Sequence, residues 1–299
     1  MRQKTAFLFA GQGAQFVGMG ADFFRNKQGG IYDIMRQGPS EELTLTKNAQ
    51  PAIFLHDLAA AEELQRRGVA ADCAAGFSLG EIPALVFAGV LGRTDGFELV
   101  QTRAAAMQKC CEENLGMMVG VVKLTHEKVR EIIAALGRDD IWAANFNSPA
   151  LTVCSCKPDA VEPLSAAAAA AGGKGLRLRV SGAFHCPLMN DASAALRAYL
   201  ANKKLNPARI PIYSNVTAKP YGSDYKELIS IQIISPLLWQ QTIENMLADG
   251  VRNFIEVGPG QELTGLVRRI VEAKGAEGIR IFTVGDMNSV DAVVKEIAK

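Results

Sequence analysis

Residues 74–90 of the 299-residue chain read AAGFSLGEIPALVFAGV. A short apolar run comes first, two glycines then flank Ser78, and an apolar helix-like segment continues to Val90. A strand, a glycine-flanked turn and a helix in that order are typical of an α/β layer built on a parallel sheet. The turn also fits the G-x-S-x-G pattern, which presents a serine hydroxyl at the N-terminus of a helix. Glycine is common in this chain, so the motif gains its weight from this position, and it makes Ser78 a candidate nucleophile.

Strand-like and helix-like segments alternate on both sides of this stretch. Residues 6–10 form an apolar run that ends in the turn signal GQG, and residues 51–66 have the spacing of an amphipathic helix with Pro51 in its first turn. The same alternation resumes after residue 181, with predicted elements at 188–200, 210–214, 235–248 and 253–257.

Residues 117–180 follow a different order: strand, helix, strand, strand, helix, strand. The predicted elements lie at 117–124, 127–136, 141–145, 151–156, 159–171 and 176–180, with Thr125 as the cap of the first helix. This is the order of a ferredoxin-like unit. We therefore expect a large α/β-hydrolase-like domain with a parallel sheet, formed by residues 1–116 and 181–299, and a ferredoxin-like subdomain inserted at 117–180.

Composition excludes several classes of protein. Hydrophobic residues make up 48% of the chain and charged residues 21%, and the net charge is +1. This balance is that of an ordinary globular protein and gives no overall field to attract nucleic acid. The longest apolar run, residues 82–92, is shorter than the ~18 residues of a membrane span, and the apolar stretch near the start is too short for a signal peptide. We expect a cytoplasmic protein that binds neither membrane nor nucleic acid.

Six cysteines are spread over the chain, at positions 73, 110, 111, 154, 156 and 186. Their spacing is neither that of a zinc site nor that of a redox pair, and six cysteines in a chain of this length are not a disulfide scaffold. We expect reduced thiols and no metal.

A serine nucleophile needs a base, and the chain has three histidines. His56 lies inside a predicted amphipathic helix and His126 lies in the first turn of a predicted surface helix, so both are expected to be ordinary histidines. His185 lies in the loop that joins the inserted unit to the resumed large domain. Because loops on a rigid scaffold often carry catalytic groups, His185 is the candidate base.

Short segments along nearly the whole chain match one known family in order. They are GQGAQ (11–15), GPSEEL (38–43), QPA (50–52), GFSLGE (76–81), Arg103 with the residues to 108, NFNSP (145–149), Phe184-His185, Gln232 with Pro236 and Trp239, and EVGPG (256–260). In these residues the sequence resembles the malonyl-CoA:acyl carrier protein transacylases of fatty-acid synthesis and the related acyltransferase domains of polyketide synthases. The resemblance implies a ping-pong acyltransferase that moves a malonyl group from malonyl-CoA to the phosphopantetheine thiol of acyl carrier protein.

The resemblance also assigns roles position by position. It makes Ser78 the nucleophile, His185 the base, and the backbone N–H groups of Gln12 and Leu79 the oxyanion hole. The family orients its histidine with a backbone carbonyl, and the matching residue is Gln232, so no triad carboxylate is expected. It implies no metal and no redox cofactor, and we expect a monomer.

Two further residues set the expected substrate. Arg103 matches the arginine that holds the malonyl carboxylate, and a planar guanidinium pairs with a carboxylate in a bidentate way that lysine cannot reproduce. Phe184, in the context AFH, resembles the malonyl-selective pattern of polyketide acyltransferases and should exclude substituents at the α-carbon.

Carrier proteins of this pathway are generally acidic, so a local basic patch is expected. Lys174, Arg177 and Arg179 are one candidate, and a solvated strand edge is the competing interpretation. The chain departs from the family at Phe77, where a histidine is usual, and around Ala150-Leu151 and residues 154–156.

Two other functions stay open at this point. A serine hydrolase would use Ser78 and His185 and pass the acyl group to water, but it needs an acidic residue between them in chain order and has no use for Arg103. A weakly catalytic carrier-docking subunit is suggested only by Phe77.

Overall fold

The computed structural model describes residues 2–297, and in this part of the chain the strands form two separate sheets. In chain order they are β1 (Lys4–Phe9), β2 (Cys73–Gly76), β3 (Met117–Val122), β4 (Ile141–Ser148), β5 (Leu151–Cys156), β6 (Lys174–Arg177), β7 (Ile212–Tyr213), β8 (Val251–Val257) and β9 (Arg280–Val284). The larger sheet is parallel, in the order β7-β2-β1-β8-β9. The smaller sheet is antiparallel, in the order β4-β5-β3-β6. The predicted fold class, a parallel α/β sheet with a ferredoxin-like unit, is confirmed.

Helices cover both sheets. They are α1 (Ile31–Gln37), α2 (Ser40–Thr44), α3 (Thr46–Arg66), α4 (Glu81–Phe87), α5 (Arg93–Glu113), α6 (His126–Leu136), α7 (Val161–Ala170), α8 (Asn190–Ala201), α9 (Tyr225–Ile231), α10 (Trp239–Ala248), α11 (Glu262–Lys274) and α12 (Met287–Ile297). Because helices lie on both faces of the parallel sheet, its central strands are almost continuously apolar, and five of the six residues of β1 are buried.

The helix predicted at 51–66 begins earlier than expected. It starts at Thr46, so Pro51 lies inside α3 and not in its first turn. The reason is a turn upstream, where the carbonyl of Leu45 accepts hydrogen bonds from the N–H groups of Asn48 and Ala49. The apolar helix after Ser78 ends at Phe87 instead of continuing to Val90, because the chain reverses through Gly89 at φ +83°.

Other bounds also differ from the prediction. The helix predicted at 235–248 starts at Trp239, because residues before it are extended and the N–H of Leu237 donates to the carbonyl of Ala144 in β4. β6 lies at Lys174–Arg177 and not at 176–180, because the pairing with β3 ends at Arg177 except for one further bond from Leu178.

The two faces of the smaller sheet have different environments. One face packs against α6 and α7 through Val119, Val121, Val129 and Leu164. Thr125 caps α6 as predicted, accepting a hydrogen bond from the N–H of Lys128. The opposite face turns toward the larger sheet and lines a cavity.

All six cysteines are buried free thiols. Burial raises the pKa of Cys73 and of Cys154 to about 12. The helices from residue 31 to residue 297 include none that is long and apolar enough to cross a membrane.

Candidate active site

Ser78 lies at a sharp turn between β2 and α4. The chain passes from Gly76 through a short 3-10 turn, Ser78–Gly80, directly into the helix. Ser78 has φ +53°, a left-handed conformation that is unusual for a residue other than glycine and that is often found at functional sites. A Cβ atom on Gly76 would lie 1.9 Å from the carbonyl carbon of Gly80, and one on Gly80 would lie 2.2 Å from the carbonyl oxygen of Phe9. Both flanking glycines are therefore required by space.

His185 faces the hydroxyl of Ser78. Its Nε2 lies 2.9 Å from Ser78 Oγ, and its Nδ1 lies 3.0 Å from the carbonyl oxygen of Gln232 and 3.1 Å from that of Ser235. Carbonyl oxygens only accept hydrogen bonds, so Nδ1 must carry the proton and donate it. Nε2 then presents its lone pair to the serine hydroxyl, the arrangement that a general base needs.

The environment keeps His185 neutral. Burial, and after it the neighbouring positive charge of Arg103, lower its pKa to about 4, although the carbonyls of Gln232 and Ser235 act in the opposite direction. A neutral imidazole at neutral pH is ready to accept a proton.

Arg103 reaches the same serine from α5. It is fully buried, its Nη2 donates to Ser78 Oγ at 3.0 Å and to Gln232 Oε1 at 3.2 Å, and its Nη1 donates to Gln50 Oε1 at 2.9 Å. Burial lowers its pKa to about 10, so it remains charged at neutral pH. A fixed positive charge thus lies beside the nucleophile.

A further set of polar side chains holds this arrangement. The sequence assigned a role to the backbone carbonyl of Gln232, but none to its side chain or to Glu81, Asn215 and Tyr221. The side-chain N–H groups of Gln232 donate to the carbonyl oxygen of Ser78 at 2.7 Å and to Glu81 at 2.5 Å. Asn215 accepts from the N–H of Ser78 at 2.8 Å, and Tyr221 donates to Glu81 at 2.5 Å. Burial raises the pKa of Glu81 to about 7. A usable sequence signal was the acidic residue at the start of an otherwise apolar helix.

A cavity of about 650 Å³ opens onto Ser78 and His185 between the two sheets. Gln12 and Phe184 line it, and the hydroxyl of Ser155 donates to the carbonyl oxygen of Phe184 at 2.5 Å. Leu79, the residue after the nucleophile, is fully buried.

Phe77 also lines the cavity. Its ring packs edge-on against Trp239, with 5.3 Å between the ring centroids. The other two histidines lie outside this site. His56 is fully buried against Phe23, and His126 makes hydrogen bonds to Thr152 and Gln240.

Among residues 2–297, no group of three or more His, Cys, Asp or Glu side chains is arranged to hold a metal ion.

Sequence comparison finds one protein family along nearly the whole chain. The acyl transferase domain family matches residues 6–291. The malonyl CoA-acyl carrier protein transacylase of Bacillus subtilis is 32% identical, covering 98% of this chain and 97% of its own length. The Escherichia coli protein of the same name is 36% identical, covering 92% of this chain and 96% of its own length.

Solved structures give the same result. The malonyl CoA-acyl carrier protein transacylase of Clostridium perfringens superposes with a TM-score of 0.92 at 33% identity, over 99% of this chain and 97% of that chain. A malonyl-transacylase in complex with a type II polyketide synthase acyl-carrier protein superposes with a TM-score of 0.91 at 31% identity, over 98% of this chain and 99% of that chain.

Proposed function

The chain belongs to the acyl transferase domain family, and from that premise we propose that it transfers a malonyl group from malonyl-CoA to the phosphopantetheine thiol of an acyl carrier protein. The observation that carries the proposal is the meeting of two groups at Ser78 Oγ, the Nε2 of His185 at 2.9 Å and the guanidinium of Arg103 at 3.0 Å. A nucleophile, a neutral base and a fixed positive charge suit an acyl group that carries a free carboxylate.

In the first half-reaction, His185 accepts the proton of Ser78 as Oγ attacks the thioester carbonyl. The backbone N–H groups of Gln12 and Leu79 stabilise the oxyanion, and the loss of one such donor costs ~3 to 4 kcal/mol in comparable enzymes. The carbon–sulfur bond then breaks, and the imidazolium returns its proton to the thiolate of coenzyme A. A histidine with a low pKa releases that proton readily.

In the second half-reaction, His185 deprotonates the thiol of the carrier protein. The thiolate attacks the malonyl-serine ester, and Ser78 recovers its proton from the imidazolium as it leaves. Both half-reactions move only protons and the acyl group between these residues and two thiols. The proposal therefore includes no metal and no redox cofactor.

We assign the free carboxylate of the malonyl group to Arg103. A guanidinium has five N–H donors, and three hydrogen bonds hold this one to Gln50, Gln232 and Ser78. Donors remain for a carboxylate next to the serine ester. Burial strengthens such a pair because water is excluded from it.

The carrier protein is proposed to dock at the edge of the smaller sheet. Lys174, Arg177 and Arg179 are exposed there, and none forms an ion pair with another residue of the range 2–297. Arg179 also lines the cavity that leads to Ser78. Unpaired basic groups at the mouth of the cavity would attract an acidic carrier protein.

Three broader parts of the proposal complete it. All strands of the antiparallel sheet lie between residues 117 and 177, which supports residues 117–180 as an inserted subdomain within a large domain of 1–116 and 181–299. Buried free thiols suit a cytoplasmic protein, where thiols stay reduced. The protein is proposed to act as a monomer, which light scattering of the purified chain tests directly.

Replacing Ser78 with alanine tests the function. The wild-type protein should gain the mass of a malonyl group on brief incubation with malonyl-CoA and pass it to acyl carrier protein, and Ser78→Ala should gain none. Ser181→Ala is the matched control, because Ser181 also lines the cavity, but its hydroxyl is hydrogen-bonded to that of Thr46, with 3.1 Å between the two oxygen atoms. Release of malonate to water despite added carrier protein would indicate a hydrolase, and an adduct on Ser78→Ala would place the nucleophile elsewhere.

A further inference from the structure

The positive charge of Arg103 is buried among neutral partners. Arg103 is 1% exposed, and the hydrogen bonds that it donates within residues 2–297 go to the side chains of Gln50, Gln232 and Ser78. A buried charge is costly unless an opposite charge compensates it. Glu81, at the start of α4, is also 1% exposed. Burial lowers the pKa of Arg103 and the negative charge of Glu81 opposes this shift, so Glu81 supplies the compensating charge.

The side-chain amide of Gln232 joins the two charges. Its Oε1 accepts a hydrogen bond from Nη2 of Arg103 at 3.2 Å, and its Nε2 donates to Oε2 of Glu81 at 2.5 Å. The same Nε2 donates to the carbonyl oxygen of Ser78 at 2.7 Å. Because an amide donates at one end only, acceptors at the nitrogen leave the oxygen for Arg103. A hydrogen bond to a carboxylate is roughly twice as strong as one between neutral groups, so Glu81 contributes most to this orientation.

Glu81 is itself held by three donors. Its Oε1 accepts from the hydroxyl of Tyr221 at 2.5 Å and from the backbone N–H of Asn215 at 3.2 Å, and its Oε2 accepts from Gln232. The ring of Tyr221 is fixed in turn, because it stacks on that of Tyr225 with 5.1 Å between the ring centroids. The position of the carboxylate is thus determined before any substrate binds.

The space beside Glu81 is too small for a substrate. The cavity between Glu81, Arg103 and Gln232 has a volume of about 10 Å³. This volume is at the lower limit for a single water molecule, so an acyl group does not fit. Glu81 does not line the large cavity at Ser78 either. It can therefore act on an acyl group only through its neighbours.

We propose that Glu81 is a positioning residue that, through Gln232, holds the guanidinium of Arg103 in place for the free carboxylate of the malonyl group. A carboxylate that meets an oriented guanidinium does not have to order it, so less binding energy is lost. An acetyl group has no carboxylate and gains nothing from this orientation. Glu81 therefore contributes to the preference for malonyl over acetyl. The inference rests on the proposed function, which places the malonyl carboxylate on Arg103.

The test measures kcat/KM for acylation by malonyl-CoA and by acetyl-CoA in Glu81→Gln. Glutamine keeps the size of the side chain but removes the charge that receives the N–H of Gln232. We expect the ratio of the two kcat/KM values, malonyl-CoA over acetyl-CoA, to fall ~10-fold, as for the loss of one hydrogen bond to a charged group. Most of this change should come from a higher KM for malonyl-CoA.

A second variant tests the route through the amide. Gln232→Met removes the amide and keeps the backbone carbonyl that accepts from His185. It should lower the ratio at least as much as Glu81→Gln does. Adding Glu81→Gln to Gln232→Met should change the ratio little further, because both substitutions break the same connection.

Glu256→Gln is the matched control. Glu256 is also 1% exposed, and it accepts hydrogen bonds from the backbone N–H groups of Leu263 and Thr264 and from the hydroxyl of Thr264. These partners belong to α11 and not to the surroundings of Arg103. The ratio in Glu256→Gln should equal that of the wild-type protein.

Tyr221→Phe covers the case in which Glu81→Gln does not fold. It removes one donor to Glu81 and keeps the ring that stacks on Tyr225. The ratio should fall ~3-fold, because Glu81 keeps its other two donors. An unchanged ratio in this variant would overturn the inference.

The outcomes separate this inference from the proposed function. A wild-type protein that malonyl-CoA does not acylate would remove the proposed function, and the inference with it. With an active wild type, equal losses for malonyl-CoA and acetyl-CoA in Glu81→Gln would make Glu81 structural. A higher ratio would mean that Glu81 competes with the malonyl carboxylate for Arg103, and full additivity with Gln232→Met would mean that it acts by another route. Each of these three results would overturn the inference while the proposed function stands.

Discussion

The two walls of the cavity differ in whether their polar side chains are hydrogen-bonded. On the side of the larger sheet, the side chains of Ser78, His185 and Arg103 hydrogen-bond one another or nearby backbone groups. On the side of the smaller sheet, the amides of Asn145 and Asn147 have no partner in residues 2–297. Groups that do chemistry gain from a fixed arrangement that needs no reorganisation during the reaction.

The largest effect is expected from replacing the base on the side of the larger sheet. His185→Ala should slow acyl-enzyme formation by about 10²- to 10⁴-fold, because Ser78 loses its base. Rapid-quench measurement of the malonyl adduct checks this, with His126→Ala as the control histidine outside the site. Near-normal acylation of His185→Ala at neutral pH would remove this residue from the mechanism.

The lowered pKa of His185 predicts an unusual dependence of the acylation rate on pH. The pKa of His185 is lowered from 6.5 to about 4, so the imidazole stays neutral as the pH falls through 6. Acylation by wild-type protein should therefore stay level down to about pH 5, where an exposed histidine would already be mostly protonated. The folded pKa lies below the unfolded value, so the stability from burying neutral His185 is present above pH 6.5 and is lost toward pH 4.

Glu81 is the neighbour that can complicate this profile, since its pKa is raised to about 7. The rates should be compared in wild type and Glu81→Gln. A step near pH 7 that disappears in Glu81→Gln belongs to the carboxyl group. A step near pH 6.5 in both proteins would contradict the lowered pKa of His185.

Arg103→Ala should change the selectivity between malonyl-CoA and acetyl-CoA. Loss of the ion pair between Arg103 and the malonyl carboxylate should raise the activation free energy of malonyl transfer by ~3 to 5 kcal/mol, the cost of breaking a buried pair. Acetyl transfer should stay equal or improve, because an acetyl group has no carboxylate to pair. Competition between malonyl-CoA and acetyl-CoA measures the ratio. Arg103→Lys keeps the charge but not the bidentate geometry, and should fall between the two. Parallel losses for both substrates would mean that Arg103 is structural.

Phe184 lines the cavity one residue before the base. Its substitution tests whether its ring excludes substituents at the α-carbon of the malonyl group. Wild type should prefer malonyl-CoA strongly over methylmalonyl-CoA, and Phe184→Ser should relax that preference by ~1 to 3 kcal/mol, the usual value of one methyl group. Product ratios from an equimolar mixture give the answer. An unchanged ratio would end the steric role of the ring.

The smallest effect is expected at Phe77. Its ring packs on Trp239 beside the turn that carries Ser78 and has no hydrogen-bonding group, so it does not take part in proton transfer. Phe77→His should keep transferase activity with a change of roughly tenfold or less, about 1.4 kcal/mol, and should lose malonate to water somewhat faster. Both rates are measured in the two proteins. If wild type formed no acyl-enzyme and Phe77→His gained one, the chain would be a carrier-docking subunit.

The comparison also shows what the sequence could predict. The turn around Ser78 is local, so glycine spacing and the following apolar helix were enough to predict it. The patterns predict nothing after residue 260, where α11, β9 and α12 lie, although both helices have an amphipathic pattern that was a usable signal. The contact between Gln232 and Glu81 joins residues 151 positions apart, and spacing along a chain carries no information about it.

The same limit applies to the wall of the cavity that the smaller sheet forms. Asn145 and Asn147 belong to a matched segment of the sequence, but alternation alone does not tell which face of a strand meets a cavity. Only the pairing of β4 with β5 and with Leu237 decides that. The unpartnered amides could therefore be found only in three dimensions.

The buried cysteines give the protein a practical property. Burial raises the pKa of thiols such as Cys73, Cys154 and Cys186, so few thiolates are available to alkylating reagents at neutral pH. A single cysteine at an exposed position that carries no proposed docking charge, for example Leu115→Cys, would then react far faster than the native six. The native chain is thus already suited to carrying one fluorescent label or one crosslinker, with which the arrival of a carrier protein can be followed in real time.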